Sequence, residues 1–146
     1  MYDATEVDEA YDAFFKSAWN AAWQDAAYYA LAQLDTRKGK YESALDKIDR
    51  SLIRNWHNHK ARQLKTSILR KLGRKEEALA LVAESLQIDR FNMGCRFEHY
   101  LLTRDVEVLE EMKKLMRSWA HGYIEYALDF AAAGLYEEAF SLLECT

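Results

Sequence analysis

The feature that most constrains this chain is an interval. Gly39-Lys40-Tyr41-Glu42-Ser43-Ala44-Leu45 and Gly73-Arg74-Lys75-Glu76-Glu77-Ala78-Leu79 match with their glycines 34 residues apart. The match continues at the same offset through Ile48 and Val82, Ser51 and Ser85, Leu52 and Leu86, and Asn58 and Asn92. Ala10, Phe14 and Ser17 fit the second half of an earlier copy, and Gly134-Leu135-Tyr136-Glu137-Glu138-Ala139-Phe140 opens a later one. A period of this length with a glycine in the middle specifies a helix, a tight turn and a second helix, stacked into an all-α solenoid. Each glycine ends its first helix in the left-handed conformation at little steric cost.

Local patterning agrees with that division. Beyond Gly39, the residues Tyr41, Ala44, Leu45, Ile48, Ser51 and Leu52 recur at spacings of three and four and so share one helical face. Ala44 and Ala78 are small where the two helices of a hairpin come closest, and Asn58 and Asn92 stand where an N-cap is needed. Helices of about a dozen residues are marginal alone in water, so stacking must stabilise them.

These residues resemble the tetratricopeptide repeat family, which sets an aromatic, a Leu, a small residue and an aromatic on the first helix of each copy. Gly, an aromatic, Ala, an apolar residue and a small residue follow on the second, and Pro closes the copy. The C-terminal copy is similar at Tyr123, Tyr126, Ala127, Phe130, Gly134, Tyr136, Ala139 and Leu143. The copy from Asp25 supplies Tyr28, Leu31, Ala32, Gly39, Tyr41, Ala44, Ile48 and Ser51, but has Asp35 at the second aromatic and Trp56 for the Pro. The copy from His59 departs in its first helix, with Arg62, Lys65 and Thr66. The resemblance implies a right-handed superhelix of helical hairpins. A second resemblance, over about residues 19 to 103, is to helical regions of large bacterial proteins in which a sugar-binding-like β-sandwich precedes such repeats.

The expected organisation is one repeat domain over 1–146: a half repeat at 6–18, repeats at 25–58 and 59–92, a short irregular repeat at 93–118 and a truncated one at 119–146. Helices are expected near 6–18, to Lys38, at 40–53, 58–72, 75–88, 93–103, 105–117, 119–133 and 136–145, with Thr5 and Asp105 as N-caps. Tyr28, Leu31, Ala32 and Leu34 are expected to point inward. Trp19 to Gln24 form a turn or an early helix start. Gly73 and Gly134 are 61 residues apart, seven fewer than two repeats, and Thr103-Arg104-Asp105 turns without a glycine. Beginning and ending within a unit suggests a piece of a longer protein that leaves Phe140, Leu142 and Leu143 facing water.

Composition excludes several classes. Half the residues are apolar, so the chain is not a disordered segment. It has no apolar run near the length of about 18 residues that spans a bilayer, and no basic start followed by an apolar block. His57 and His59 lack the further ligands a metal site needs. Cys95 and Cys145 have no pairing motif and read as reduced thiols, which favours a cytoplasmic setting while leaving the compartment open. Glu76-Glu77, Glu110-Glu111 and Glu137-Glu138 have no accompanying nucleophile or base, and no phosphate loop is present, so neither enzymatic activity nor a cofactor is expected.

Charge is uneven. Residues 37–75 carry thirteen bases and three acids, whereas residues 76–146 carry fourteen acids and six bases. The basic band, including Lys60, Arg70 and Lys71, could track phosphates with Trp56 stacking, but a pI near 5.6 argues against nucleic acid. The resemblance implies instead a non-catalytic interaction or scaffolding module that holds a peptide, an acidic one by charge, in the concave groove. By repeat register that groove is lined by Tyr29, Gln33, Thr36 and Arg37, then Lys60, Gln63, Leu64, Ser67, Arg70 and Lys71, then Phe97, Glu98 and Leu101. Family members that clamp a terminal carboxylate use Lys and Asn where Tyr29, Gln33 and Leu64 stand here, which disfavours that role. The competing reading, from the second resemblance, is a helical packing domain of a larger carbohydrate-related protein, its surfaces covered by a neighbouring domain.

Overall fold

A computed structural model of the chain describes residues 4–17, 24–116 and 120–145, and every regular element among them is an α-helix. In order these are α1 (Ala4–Ser17), α2 (Gln24–Arg37), α3 (Tyr41–Arg54), α4 (His59–Lys71), α5 (Lys75–Ile88), α6 (Met93–Thr103), α7 (Val106–Met116), α8 (Ala120–Ala132) and α9 (Tyr136–Leu143). Trp19 and Trp23 lie outside the described residues.

Three hairpins turn in the same way. After α2 the N–H of Gly39 donates to the Thr36 carbonyl (3.1 Å) and that of Lys40 to the Asp35 carbonyl (2.8 Å). Gly73 and Arg74 repeat the pair after α4, as do Gly134 and Leu135 after α8. With φ of 78°, 76° and 77° the three glycines all sit in the left-handed region. This two-bond closure satisfies carbonyls that a helix end would otherwise strand. Between α6 and α7, Arg104 takes the same region at φ 57°, and its N–H donates to the Tyr100 carbonyl (2.6 Å).

Helix starts are fixed by side chains. Asn58 Oδ1 accepts from the Lys60 and Ala61 N–H groups (3.1 and 3.2 Å), Asn92 Oδ1 from Cys95 (3.1 Å), and Asp105 Oδ1 from Glu107 (2.9 Å). Ala44 and Ala78 are fully buried, Ala44 in a core that joins Ile48, Ile68 and Phe97. Ser51 Oγ donates to the Asp25 carbonyl (2.8 Å), and Ser85 Oγ, one repeat later, accepts from Arg62 Nη1 (3.2 Å).

Several expectations are corrected. Helix α1 begins at Ala4, so Thr5 lies inside it rather than capping it. Leu142 is buried, whereas Phe140 and Leu143 face water. Tyr28 is only half-buried, because its ring carries the Arg50 and Arg54 guanidiniums instead of filling the core. Asp35, at the place where the repeat pattern has its second aromatic, is buried and accepts from Ser43 Oγ (2.6 Å). Arg62, the poorest fit to the repeat pattern, is fully buried. It stacks 4.3 Å from the Trp56 ring and donates to the Trp56 carbonyl (2.8 Å) and Glu84 (2.8 Å), so these two departures from the pattern form one contact.

Candidate functional site

Helices α2, α4 and α6 are the first helices of successive hairpins and line the inner face. In a straight stack with helices 8–10 Å apart, the next first helix, α8, would stand roughly 25–30 Å from α2. It is in contact. Arg37 Nη2 donates to the Ala132 and Ala131 carbonyls at the end of α8 (2.8 and 3.3 Å), and Nη1 donates to the Tyr136 hydroxyl of α9 (2.8 Å). Gly134 lies so close to α2 that a Cβ there would be 3.0 Å from Arg37 Cα. The α8–α9 hairpin therefore turns back across the face that sequence register leaves open.

Of the residues that repeat register assigns to the groove, Arg37, Lys60, Arg70, Lys71 and Phe97 contact that hairpin. Lys60 reaches Asp129 of α8 (3.6 Å). Gln33 Nε2 donates to the half-buried Tyr29 hydroxyl (3.3 Å). Burial and the charge of Asp129 push the Tyr29 phenol above its ordinary range. Burial also raises Asp129, against the opposing pull of Lys60. Gln63 is buried against Gly94 and donates to Ser67 Oγ (3.2 Å). Ser67 Oγ in turn donates to Glu98, a fully buried carboxylate that also receives Arg70 Nε (2.7 Å) and Nη2 (3.3 Å).

Glu138 of α9 completes this cluster. It accepts from Lys71 Nζ (3.0 Å) and lies 3.7 Å from Arg70 Nη2. Burial works against the Arg70 charge, but Glu98 and Glu138 more than restore it and hold the guanidinium protonated. Phe97 is core, its ring edge-on to Phe130 of α8 at 5.8 Å. Arg37, Lys60, Arg70 and Lys71 are thus engaged by the chain's own carboxylates, carbonyls and phenol. The hairpin residues that meet them (Asp129, Tyr136 and Glu138) were missed as site residues. The trace they leave in the sequence is the excess of acids after the basic band.

A second concavity, of about 480 Å3, lies on the outer face between α3 and α5, lined by Leu52, Ile53, Trp56, Leu69 and Leu81. Its charges are paired locally, Lys65 with Asp49 (2.8 Å) and Arg62 with Glu84 (2.8 Å). Cys95 and Cys145 are free thiols; burial pushes Cys95 up to about 12, far from a reactive thiolate. Among the described residues no three His, Cys, Asp or Glu side chains gather as metal ligands, and no helix is long and apolar enough to cross a membrane.

A solved structure described as the crystal structure of MamA, a tetratricopeptide repeat protein, is similar over 99% of this chain and 93% of that one, with a TM-score of 0.68. The chain has a tetratricopeptide-like fold. At 13% identity the likeness speaks for the fold alone. No protein-family model and no curated protein sequence matches the chain. Within the tetratricopeptide-like frame, the α8–α9 hairpin touches the first helices α2, α4 and α6 through Arg37, Lys60 and Phe97.

Proposed function

We propose that the chain is a non-catalytic protein-interaction module whose concave face receives an acidic helical segment, and that α8–α9 is such a segment held in cis. The observation that carries this reading is the pairing of the inner-face cations with one hairpin: Lys60 with Asp129, Lys71 and Arg70 with Glu138, and Arg37 with the α8 carbonyls. Carboxylates and helix C-terminal carbonyls are the groups such a face reads, because Arg and Lys pair with both. A partner of the same chemistry competes with the hairpin for these cations. A protein or peptide is therefore the partner class, and Arg62 and Arg70 of the band are spent on internal ion pairs with Glu84 and Glu98 instead of facing solvent as a phosphate track requires.

A second reading has its own support. Phe130, Leu135, Ala139 and Leu142 share one core with Ile48 and Ile68, which suits a hairpin that never leaves. The two readings separate in a titration of a labelled peptide of residues 120–145 against the full chain and its Glu138→Ala variant. An exchangeable hairpin predicts salt-sensitive binding that strengthens roughly tenfold in the variant, where the cis competitor is weakened. No binding to either protein, with α8–α9 amides as protected as those of α2–α5, would defeat the first reading in favour of the second.

A further inference from the structure

The contacts that hold α8–α9 are divided between its two helices and the turn that joins them. Helix α4 meets one helix of the hairpin near each of its own ends. Lys60, in its first turn, lies 3.6 Å from Asp129 of α8, and Lys71, its last residue, donates to Glu138 of α9 (3.0 Å). Between residues 60 and 71 a helix rises about 16 Å, whereas packed helix axes stand roughly 8–10 Å apart, so α4 is long enough to span both. Phe97 of α6 adds an edge-on contact to Phe130 of α8 (5.8 Å). Arg37 of α2 meets the turn. Its Nη2 donates to the Ala132 carbonyl (2.8 Å), at a helix end where carbonyls lack an intrahelical donor, and its Nη1 donates to the hydroxyl of Tyr136 in the first turn of α9 (2.8 Å). Two such groups come together only where one helix stops and the next begins. Between them Gly134 passes so close that a Cβ there would stand 3.0 Å from Arg37 Cα.

We propose that the partner this face selects in trans is a helical hairpin closed by a glycine turn, and neither a single helix nor an extended peptide. The inference rests on the reading that the face exchanges α8–α9 for a partner, and it narrows that partner's class. The positions that make contact define the pattern the partner must carry. An acid and an aromatic stand five and four residues before the turn glycine, as Asp129 and Phe130 do, and a hydroxyl and an acid stand two and four after it, as Tyr136 and Glu138 do. The other glycine hairpins of this chain lack the set. Around Gly39 the acid places hold Leu34 and Ser43, and around Gly73 Ile68 holds the first of them while Lys75 stands where the hydroxyl belongs. A second copy's α2–α3 or α4–α5 therefore does not satisfy the face.

The test titrates labelled peptides into the full chain and into its Glu138→Ala variant, whose own hairpin is weakened. The peptides are residues 120–145, the halves 120–133 and 135–145 each held helical by a lactam bridge, and residues 120–145 carrying Leu128→Pro and Phe140→Pro, which block both helices. The hairpin peptide should bind the variant at least tenfold tighter than either half, roughly 1.4 kcal/mol, because the second helix binds at high effective concentration once the first has docked. The proline peptide should lose binding by a similar factor. Tyr136→Phe in the hairpin peptide should weaken binding about threefold or more, and should have no effect when the chain also carries Arg37→Ala. A half that binds as tightly as the hairpin would assign the face to a single helix, and a proline peptide that binds as tightly would assign it to an extended chain. Either result, or a Tyr136→Phe effect that persists without Arg37, overturns the proposal while the exchange reading stands. Binding by none of the peptides defeats the exchange reading itself, and this inference with it.

Discussion

The α4–α5 and α8–α9 hairpins share a turn and differ in destination. Gly73 and Gly134 close their helices with the same two hydrogen bonds at nearly the same φ. Yet α4–α5 continues the stack, whereas α8–α9 comes back across α2 and α4. Around Gly73 a Cβ would meet nothing within 4 Å, while Gly134 is pressed against the Arg37 backbone. The comparison teaches that the repeat determines how each hairpin is made, through local backbone chemistry. Where a hairpin goes is decided by long-range contacts that no repeat encodes.

The largest expected effect tests whether the returning hairpin is integral. Phe130→Ala should cost about 3–5 kcal/mol in urea unfolding, because it empties a fully buried site against Phe97. If α8–α9 were an appendage, global stability would hold and only its own amides would exchange faster. The glycine pair sharpens the same contrast. Gly73→Ala should cost about 1–2 kcal/mol from the left-handed conformation alone, and Gly134→Ala distinctly more, since its Cβ also presses on Arg37. Equal thermal-melt losses would mean that the close approach to α2 is absent.

Smaller effects follow. Arg104→Gly should stabilise by about 0.5–1 kcal/mol by removing a Cβ from a left-handed position. The gain is partly offset by the lost stacking of its guanidinium 5.5 Å over Tyr100. Asp129 supplies a pH test. Burial raises its folded-state pKa above the ordinary carboxylate value, so ionised Asp129 costs stability above that raised pKa. Wild type should gain stability as pH falls through that pKa toward the ordinary value, and Asp129→Asn should remove that slope in melting temperature against pH.

Much of the local structure was legible because short-range chemistry carries it. Gly39, Gly73 and Gly134 mark left-handed turns, and Asn58 and Asn92 mark helix starts. Arg104 could be read only as a missing glycine, since nothing in an arginine announces a positive φ. Arg62 and Trp56 each looked like a departure from the pattern, and their mutual stacking needs coordinates to see. The register named Arg37, Lys60 and Lys71, which each meet the α8–α9 hairpin, but the groups that meet them are distant in sequence, as with Lys71 and Glu138. The pair Glu137-Glu138 reads as first-turn charge complementing a helix dipole. One of the two is instead spent across the groove.

The central claim, that α9 closes on α4 inside the superhelix, is most directly tested by a double-mutant cycle of Lys71→Ala and Glu138→Ala in equilibrium unfolding. Direct contact predicts a coupling of about 1 kcal/mol between the two substitutions. Effects that simply add, within about 0.3 kcal/mol, would place Glu138 away from Lys71 and leave the concave face open.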